Sequence, residues 1–250
     1  MAHAKILDAT NYYELKSHLS QIEKGSWVLF DVDFTLIEPV EQELKMPSVM
    51  KYANAYIDFY KDMPPEKVDQ TLAKMMLSRK TELVDPNFPD LIQILDNQNY
   101  VFGFTGMLTG PSFVPGKIYT DLRQEDLAKK GIQFKGKPGI PTAYYFNKMP
   151  KYNGGQPALK NNILYSNGEK GPYNKTVALE RFLELIPSPP KIIVVIEDRL
   201  KNLKAFEEMI EEKYGDKIQF IGIHYTQSWH SASPCLTEEQ YLKKLHELLV

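Results

Sequence analysis

Short apolar runs alternate along the chain with longer stretches in which apolar residues recur every three or four positions. That alternation predicts a parallel sheet covered by helices. The candidate strands are Trp27–Phe30, Tyr100–Phe104, Asn162–Tyr165, Ile192–Ile196 and Gln219–Ile223. Five consecutive β-branched residues from Ile192 to Ile196 suit a strand buried on both faces. Leu179, Phe182, Leu183 and Ile186 predict a helix from Thr176 to Ile186. Leu203, Phe206 and Ile210 predict another, stopped by Gly215. Thr237-Glu238-Glu239-Gln240 reads as a capping box opening the last helix. The fold class is therefore α/β, a Rossmann-like parallel sheet flanked by helices, formed by residues 1–39 and 89–250.

Two stretches break the alternation. Residues 40–88 read as helical and carry Tyr52, Tyr56, Phe59 and Tyr60 on one face, spacing that predicts packing rather than a ligand platform. Pro64-Pro65, Pro86 and Pro89 punctuate the segment. It is expected to form a small helical cap inserted over the carboxyl ends of the strands. The second stretch, about 136–157, is rich in Pro, Gly and Tyr and is expected to be irregular.

With 250 residues, 43% of them hydrophobic, the chain can bury a full core. A net charge of -2 with scattered Lys and Arg gives no electrostatic footprint for nucleic acid. A single cysteine, Cys235, excludes an internal disulfide and fits a reducing compartment. No apolar run approaches the length of a membrane span. The opening residues Met1 to Asp8 contain no signal-peptide h-region, so the cytoplasm is the default expectation. A secretion signal of another kind would leave no trace in these residues. Oligomeric state has no signature here.

The chemistry gathers at strand ends. The run Trp-Val-Leu-Phe delivers Asp31 and Asp33 where the first candidate strand stops, with Thr35 just beyond. Parallel sheets bind ligands outside the carboxyl ends of their strands. Thr105 follows the second candidate strand, Lys175 opens a helix, and Glu197-Asp198 follow Ile196, with Asn202 four residues beyond Asp198. Such a set suits phosphoryl transfer. A carboxylate can attack a phosphate monoester to give an acyl-phosphate. A hard dication, Mg²⁺ for preference beside phosphate, offsets the repulsion between the acids and the incoming dianion.

The segment Asp31-Val32-Asp33-Phe34-Thr35-Leu36 resembles the first motif of the haloacid dehalogenase (HAD) superfamily of phosphatases. Thr105, Lys175 and Glu197-Asp198 stand in the order and strand context of its second, third and fourth motifs. The wording from Ile192 to Asn202 and at Ile223-His224-Tyr225 is similar to a poorly characterised bacterial branch of that superfamily. The resemblance implies a HAD-like core and a Mg²⁺-dependent hydrolase acting through an aspartyl-phosphate. It makes Asp31 the nucleophile and a metal ligand, and Asp33 the general acid and base, with its backbone carbonyl on the metal. Thr105 and Lys175 would hold the phosphoryl group, and Asp198 would complete the metal shell. Two positions depart from the pattern. Glu197 stands where Asp or Gly is usual and is assigned an outer-shell role with Asn202. Phe34 replaces a common Gly or Asp and makes the wall of the site more apolar.

Other residues are weaker candidates. Lys160 and Lys170 compete with Lys175, but neither opens a helix with a clear apolar stripe. His3, His18, His224, His230 and His246 show no metal-ligand spacing; His224 and His230 read as loop residues near Trp229. Cys235 lacks any cue for nucleophilic reactivity. Dehalogenation is disfavoured because it leaves Asp33 without a task. A phosphomutase or a sugar-phosphate or nucleotide phosphatase shares the same chemistry, and a non-catalytic binding module shares the same fold. The expected substrate is a phosphorylated small molecule or a phosphoprotein. The rings of Thr142-Ala143-Tyr144-Tyr145-Phe146 and Tyr152 either pack their insertion against the core or line the approach to Asp31. The second arrangement would favour an aryl phosphate, including phosphotyrosine on a protein.

Overall fold

The computed structural model describes residues 5–230 and 236–249. Among these residues, ten strands are formed: β1 (Lys5–Ala9), β2 (Trp27–Asp31), β3 (Ile37–Pro39), β4 (Thr81–Leu83), β5 (Tyr100–Thr105), β6 (Ala143–Tyr145), β7 (Ala158–Lys160), β8 (Ile163–Tyr165), β9 (Ile192–Glu197) and β10 (Gln219–Tyr225). Eight of them form one sheet in the order β1-β10-β9-β2-β5-β8-β7-β6. Pairing is parallel from β1 through β8, whereas β7 and β6 add antiparallel at the far edge. The architecture is the mostly parallel α/β sheet that the alternation predicts.

Among the described residues the nine α-helices are α1 (Tyr12–Leu19), α2 (Met46–Lys51), α3 (Ala53–Tyr60), α4 (Pro65–Leu77), α5 (Phe88–Asp96), α6 (Tyr119–Lys129), α7 (Lys175–Leu185), α8 (Leu200–Tyr214) and α9 (Glu238–Leu249). Successive strand residues face opposite sides, and both sides of this sheet are covered. Val28, Phe30, Val194 and Ile196 pack with Leu15, Phe88, Ile92 and Leu127 of α1, α5 and α6. Trp27, Leu29, Ile193 and Val195 pack with Leu179, Phe182, Leu203 and Phe206 of α7 and α8. Every residue of β2 and β9 is buried, which is why these strands read as continuous apolar runs rather than alternating ones. Gly215 ends α8 at φ 51, a conformation that favours glycine.

The cap hangs from a separate two-stranded antiparallel stem, Ile37 opposite Leu83 and Pro39 opposite Thr81. Between these strands lie α2, α3 and α4. The aromatic stripe packs. Tyr56 and Tyr60 meet edge to face at 5.0 Å, and Tyr52 stacks on Tyr241 of α9 at 4.7 Å. Phe59 meets the His246 ring at 4.7 Å. The last helix therefore rests on the cap helices, where Tyr241 and Leu245 join Leu44, Ala55 and Met75 in a small cluster. Its capping box forms as written: Thr237 Oγ1 accepts from Gln240 N at 3.3 Å while Gln240 Oε1 accepts from Thr237 N at 2.9 Å.

Candidate active site

The parallel register brings the strand ends to one edge. Asp31 pairs with Phe104, Thr105 with Tyr165, and Glu197 with His224. Beyond Asp31 the chain turns tightly, the N–H groups of Leu36 and Ile37 both donating to Val32 O at 3.0 Å. Phe34 sits in this turn at φ 64, a left-handed conformation that costs a non-glycine residue about 1–3 kcal/mol. Its N–H donates to Ile37 O at 2.7 Å. The strained turn is what sets Asp33 beside β5.

Asp31, Lys175, Glu197 and Asp198 form one buried cluster, each 5% exposed or less. Asn174 caps α7 by accepting from Val177 N at 2.9 Å, which fixes Lys175 at the first helical position. Lys175 Nζ donates to Asp31 Oδ1 at 2.5 Å and to Glu197 Oε2 at 2.8 Å. Asn202 donates to Glu197 Oε1 at 3.1 Å. Both Glu197 oxygens are thus engaged by Lys175 and Asn202. The remaining oxygens are held loosely: Thr35 reaches Asp31 Oδ2, and Trp229 reaches Asp198 Oδ2, each at 3.4 Å.

Two cations, Lys175 within the cluster and Arg199 beside it, face three buried carboxylates. Burial, then Glu197 and Asp198, push Asp31 well above the usual carboxylate range despite the opposing Lys175. Burial and Glu197 push Asp198 up to about 7. Burial also works against a charged Glu197, but Lys175 overcomes it and holds that carboxyl below its ordinary value. Lys175 itself, desolvated yet facing Asp31 and Glu197, is carried above the ordinary lysine value. The ammonium therefore serves Glu197, and Asp31 and Asp198 are left short of positive charge. Among the described residues, Asp31, Glu197 and Asp198 are the cluster whose oxygens lie within 4.8 Å of one another. Hard oxygen donors with a deficit of positive charge fit a hard dication.

Asp33 stands apart from this cluster. Its Oδ2 accepts from Thr105 Oγ1 at 3.1 Å and its Oδ1 from Arg123 Nη2 at 2.6 Å. Arg123, on α6, is fully buried. Sequence reasoning missed it because α6 is rich in charge. The available signal was spacing: Tyr119, Arg123 and Leu127 lie at i, i+4 and i+8 and are all buried, so the arginine occupies a core position of an apolar stripe.

A cavity of about 380 Å³ opens between the cap and Asp33. Its walls include Phe34, Tyr56 and five methionines, Met46, Met50, Met75, Met76 and Met107. Glu169 and Arg199 pair at 3.2 Å on its rim. The rings of the aromatic insertion are not among its walls, although Tyr152 bonds to the wall residue Asp69. Tyr144 and Tyr145 are exposed on β6, two strands beyond β8, and Phe146 is buried against Tyr144. Tyr152 stacks on Tyr173 at 4.7 Å and donates to Asp69 at 2.7 Å. Of the two arrangements open to these rings, Tyr144 and Tyr145 do not take the one that lines the approach to Asp31, because the antiparallel strands extend the sheet outward.

Lys160 pairs with Asp121 at 2.5 Å, outside the cluster, and Lys170 is exposed. His224 lies in β10 rather than a loop, Nε2 at 3.1 Å from Asp198 O and Nδ1 at 3.1 Å from Asp8. His18 reaches Asp8 O at 3.0 Å, and His230 is exposed. His3 and Cys235 lie outside the described residues.

The model of a family described as "Protein of unknown function (DUF2608)" matches residues 8–247. An uncharacterised protein of Rickettsia prowazekii (strain Madrid E) is 26% identical over 219 residues, which cover 84% of this chain and 73% of that protein. A putative outer membrane protein of Chlamydia trachomatis serovar D is 22% identical over 259 residues, 96% of this chain and 85% of its own length. No solved structure matches significantly.

Proposed function

We propose that this chain, which belongs to the DUF2608 family, is a divalent-cation-dependent phosphatase that hydrolyses phosphate monoesters through an aspartyl-phosphate. The observation that carries the reading is the buried set at the strand ends, in which Asp31 meets Lys175 at 2.5 Å within a carboxylate cluster short of positive charge. The resemblance of residues 31–36 to the first HAD motif supports the same assignment.

In this reading an oxygen of Asp31 attacks phosphorus as the bond to the leaving oxygen breaks, and Asp33 gives that oxygen its proton. Asp33, now a carboxylate, takes a proton from water. The water oxygen bonds to phosphorus, the bond to Asp31 breaks, and inorganic phosphate leaves. Lys175 and Thr105 donate to the phosphoryl oxygens. Asp31, Asp198 and the backbone carbonyl of Asp33 would hold Mg²⁺, which supplies positive charge against the incoming dianion. Glu197 fixes Lys175 and is itself fixed by Asn202.

The leaving group assigned to this site is aromatic. Thioether sulfurs contribute about 0.3–1.5 kcal/mol per contact with an aromatic ring, and the cavity beside Asp33 offers five thioethers with Phe34 and Tyr56. A sugar would find few partners for its hydroxyls there, chiefly Asp33, Asp69, Glu169 and Arg199. An aryl phosphate or phosphotyrosine peptide is therefore expected to exceed a hexose phosphate in kcat/KM by about tenfold or more, the equivalent of one or two such contacts. Steady-state kinetics with Mg²⁺ on the three substrates decides. A hexose phosphate preferred by that margin would make the protein a metabolic phosphatase. The described residues contain no helix long and apolar enough to cross a membrane. Cytoplasmic residence is proposed, and the outer-membrane name of the Chlamydia relative makes export the alternative that cell fractionation would reveal.

Metal dependence carries its own expectation. EDTA should silence turnover and Mg²⁺ restore it, with Ca²⁺ a poor substitute because of its looser coordination. Asp198, pushed up to about 7 in the metal-free protein, must lose its proton to bind a cation. Affinity for Mg²⁺ should therefore fall as pH drops below about 7, with proton release on binding near neutrality. Titration calorimetry in two buffers of different ionisation heat checks both. An affinity indifferent to pH between about 6 and 8 would remove Asp198 from the metal site.

A further inference from the structure

We propose that Arg123 is the positioning residue of the acid–base carboxylate, fixing Asp33 so that its Oδ2 alone exchanges the proton; this rests on the phosphatase reading above. A leucine would continue the stripe between Tyr119 and Leu127, so the apolar pattern of α6 does not itself call for charge at this position. What the arginine does instead is take Asp33 Oδ1 at 2.6 Å from a side chain with no solvent exposure. Its position is set from behind. Asp126, one turn along α6, meets Arg123 Nη1 at 3.5 Å and is itself held by Lys130 at 2.5 Å and by Thr81 of the cap stem at 2.8 and 2.9 Å. The chain Thr81–Asp126–Arg123–Asp33 ties the stem of the cap to the acid.

Thr105 completes the device. Its hydroxyl now donates to Asp33 Oδ2 at 3.1 Å, the hydrogen bond that the phosphatase reading requires it to give to a phosphoryl oxygen. When substrate takes that hydrogen bond, Oδ2 is released while Arg123 keeps Oδ1. The carboxyl then presents one oxygen to the leaving group. The O–H bond on Oδ2 breaks as the bond from phosphorus to the leaving oxygen breaks, and the proton passes to that oxygen.

Leaving-group dependence tests this. Benzyl phosphate expels an alkoxide that needs a proton, whereas p-nitrophenyl phosphate expels a stable phenolate that does not. Removing the acid with D33N should lower kcat on benzyl phosphate by about 10²–10⁴-fold. R123M should lower it by about 10²-fold, the cost of misplacing a reacting group by roughly an ångström. The loss on benzyl phosphate should exceed the loss on p-nitrophenyl phosphate by about tenfold or more, and R123K should recover part of it. In a D33N background R123M should cause no further change in that ratio, because it acts through Asp33. Where R123M melts below the assay temperature, R123Q makes the same comparison. Equal losses on the two esters, or a further change of the ratio in the D33N background, would make Arg123 merely structural and overturn the proposal. Wild-type protein inactive on both esters would overturn the phosphatase reading, and this inference with it.

Discussion

Replacing Asp31 by Asn is expected to abolish turnover, by on the order of 10⁴-fold or more for loss of a nucleophile, while the protein folds as before. The side chain keeps its shape and loses the charge that attacks phosphorus. Its effect on stability depends on pH in a defined direction. Asp31 is pushed above the usual carboxylate range in the metal-free protein, by burial first and then by Glu197 and Asp198. A carboxyl raised in this way favours the fold while it is protonated, and that contribution is lost as pH rises toward its folded value. In EDTA the variant should therefore gain on wild type in melting temperature as pH rises from about 5 to 8. Mg²⁺ should raise the wild type and not the variant, since one of the cation's ligands is gone. Hydrolysis by the variant at the wild-type rate would dismiss Asp31 as nucleophile.

The central strands were legible because burial on both faces leaves an unbroken apolar run, as at Ile192–Ile196. Asp31, Thr105 and Glu197 fall at strand ends in register, and Asn202 and Lys175 converge on Glu197. Short or exposed elements were not legible. Strand β1 reads as the end of a polar segment, because its Lys5 is exposed and its neighbours Ile6 and Leu7 only half-buried. Strands β6 and β7 are three residues each, too short to show a period of two, so the Tyr-rich insertion reads as irregular. Arg123 was hidden for the opposite reason. A charged residue in a core position looks like a surface residue unless its i, i+4, i+8 company is weighed. In the sequence His224 reads as a loop residue, because β10 continues two residues past the apolar run, to Tyr225.

Replacing Lys175 by Met should both stop turnover and loosen the metal-free fold. Methionine can lie along the Phe104 ring, over which the ammonium now sits at 5.6 Å, so the loss is of charge more than of volume. Asp31, Glu197 and Asp198 would then share a buried pocket without their ammonium partner. Breaking a buried pair by removing one partner costs about 3–5 kcal/mol, which in a chain of this size lowers the melting temperature by roughly 10 °C. The deficit should shrink in acid. Lysine raised above its ordinary value keeps its charge, and its contribution, throughout the neutral range, whereas the orphaned carboxylates can escape their repulsion by taking up protons below about pH 7. Mg²⁺ should restore part of the melting temperature by replacing the missing charge, and should not restore turnover, because the phosphoryl group has lost its holder. The contrast is Lys160→Met. Lys160 is partly exposed and paired with the exposed Asp121, an arrangement worth about 0–1 kcal/mol, so that variant should melt close to wild type. Thermal denaturation of both variants in EDTA and in Mg²⁺, at two pH values, separates the alternatives. A Lys175 variant that melts and turns over like wild type would mean that the phosphoryl group is held elsewhere and that the buried cluster is structural.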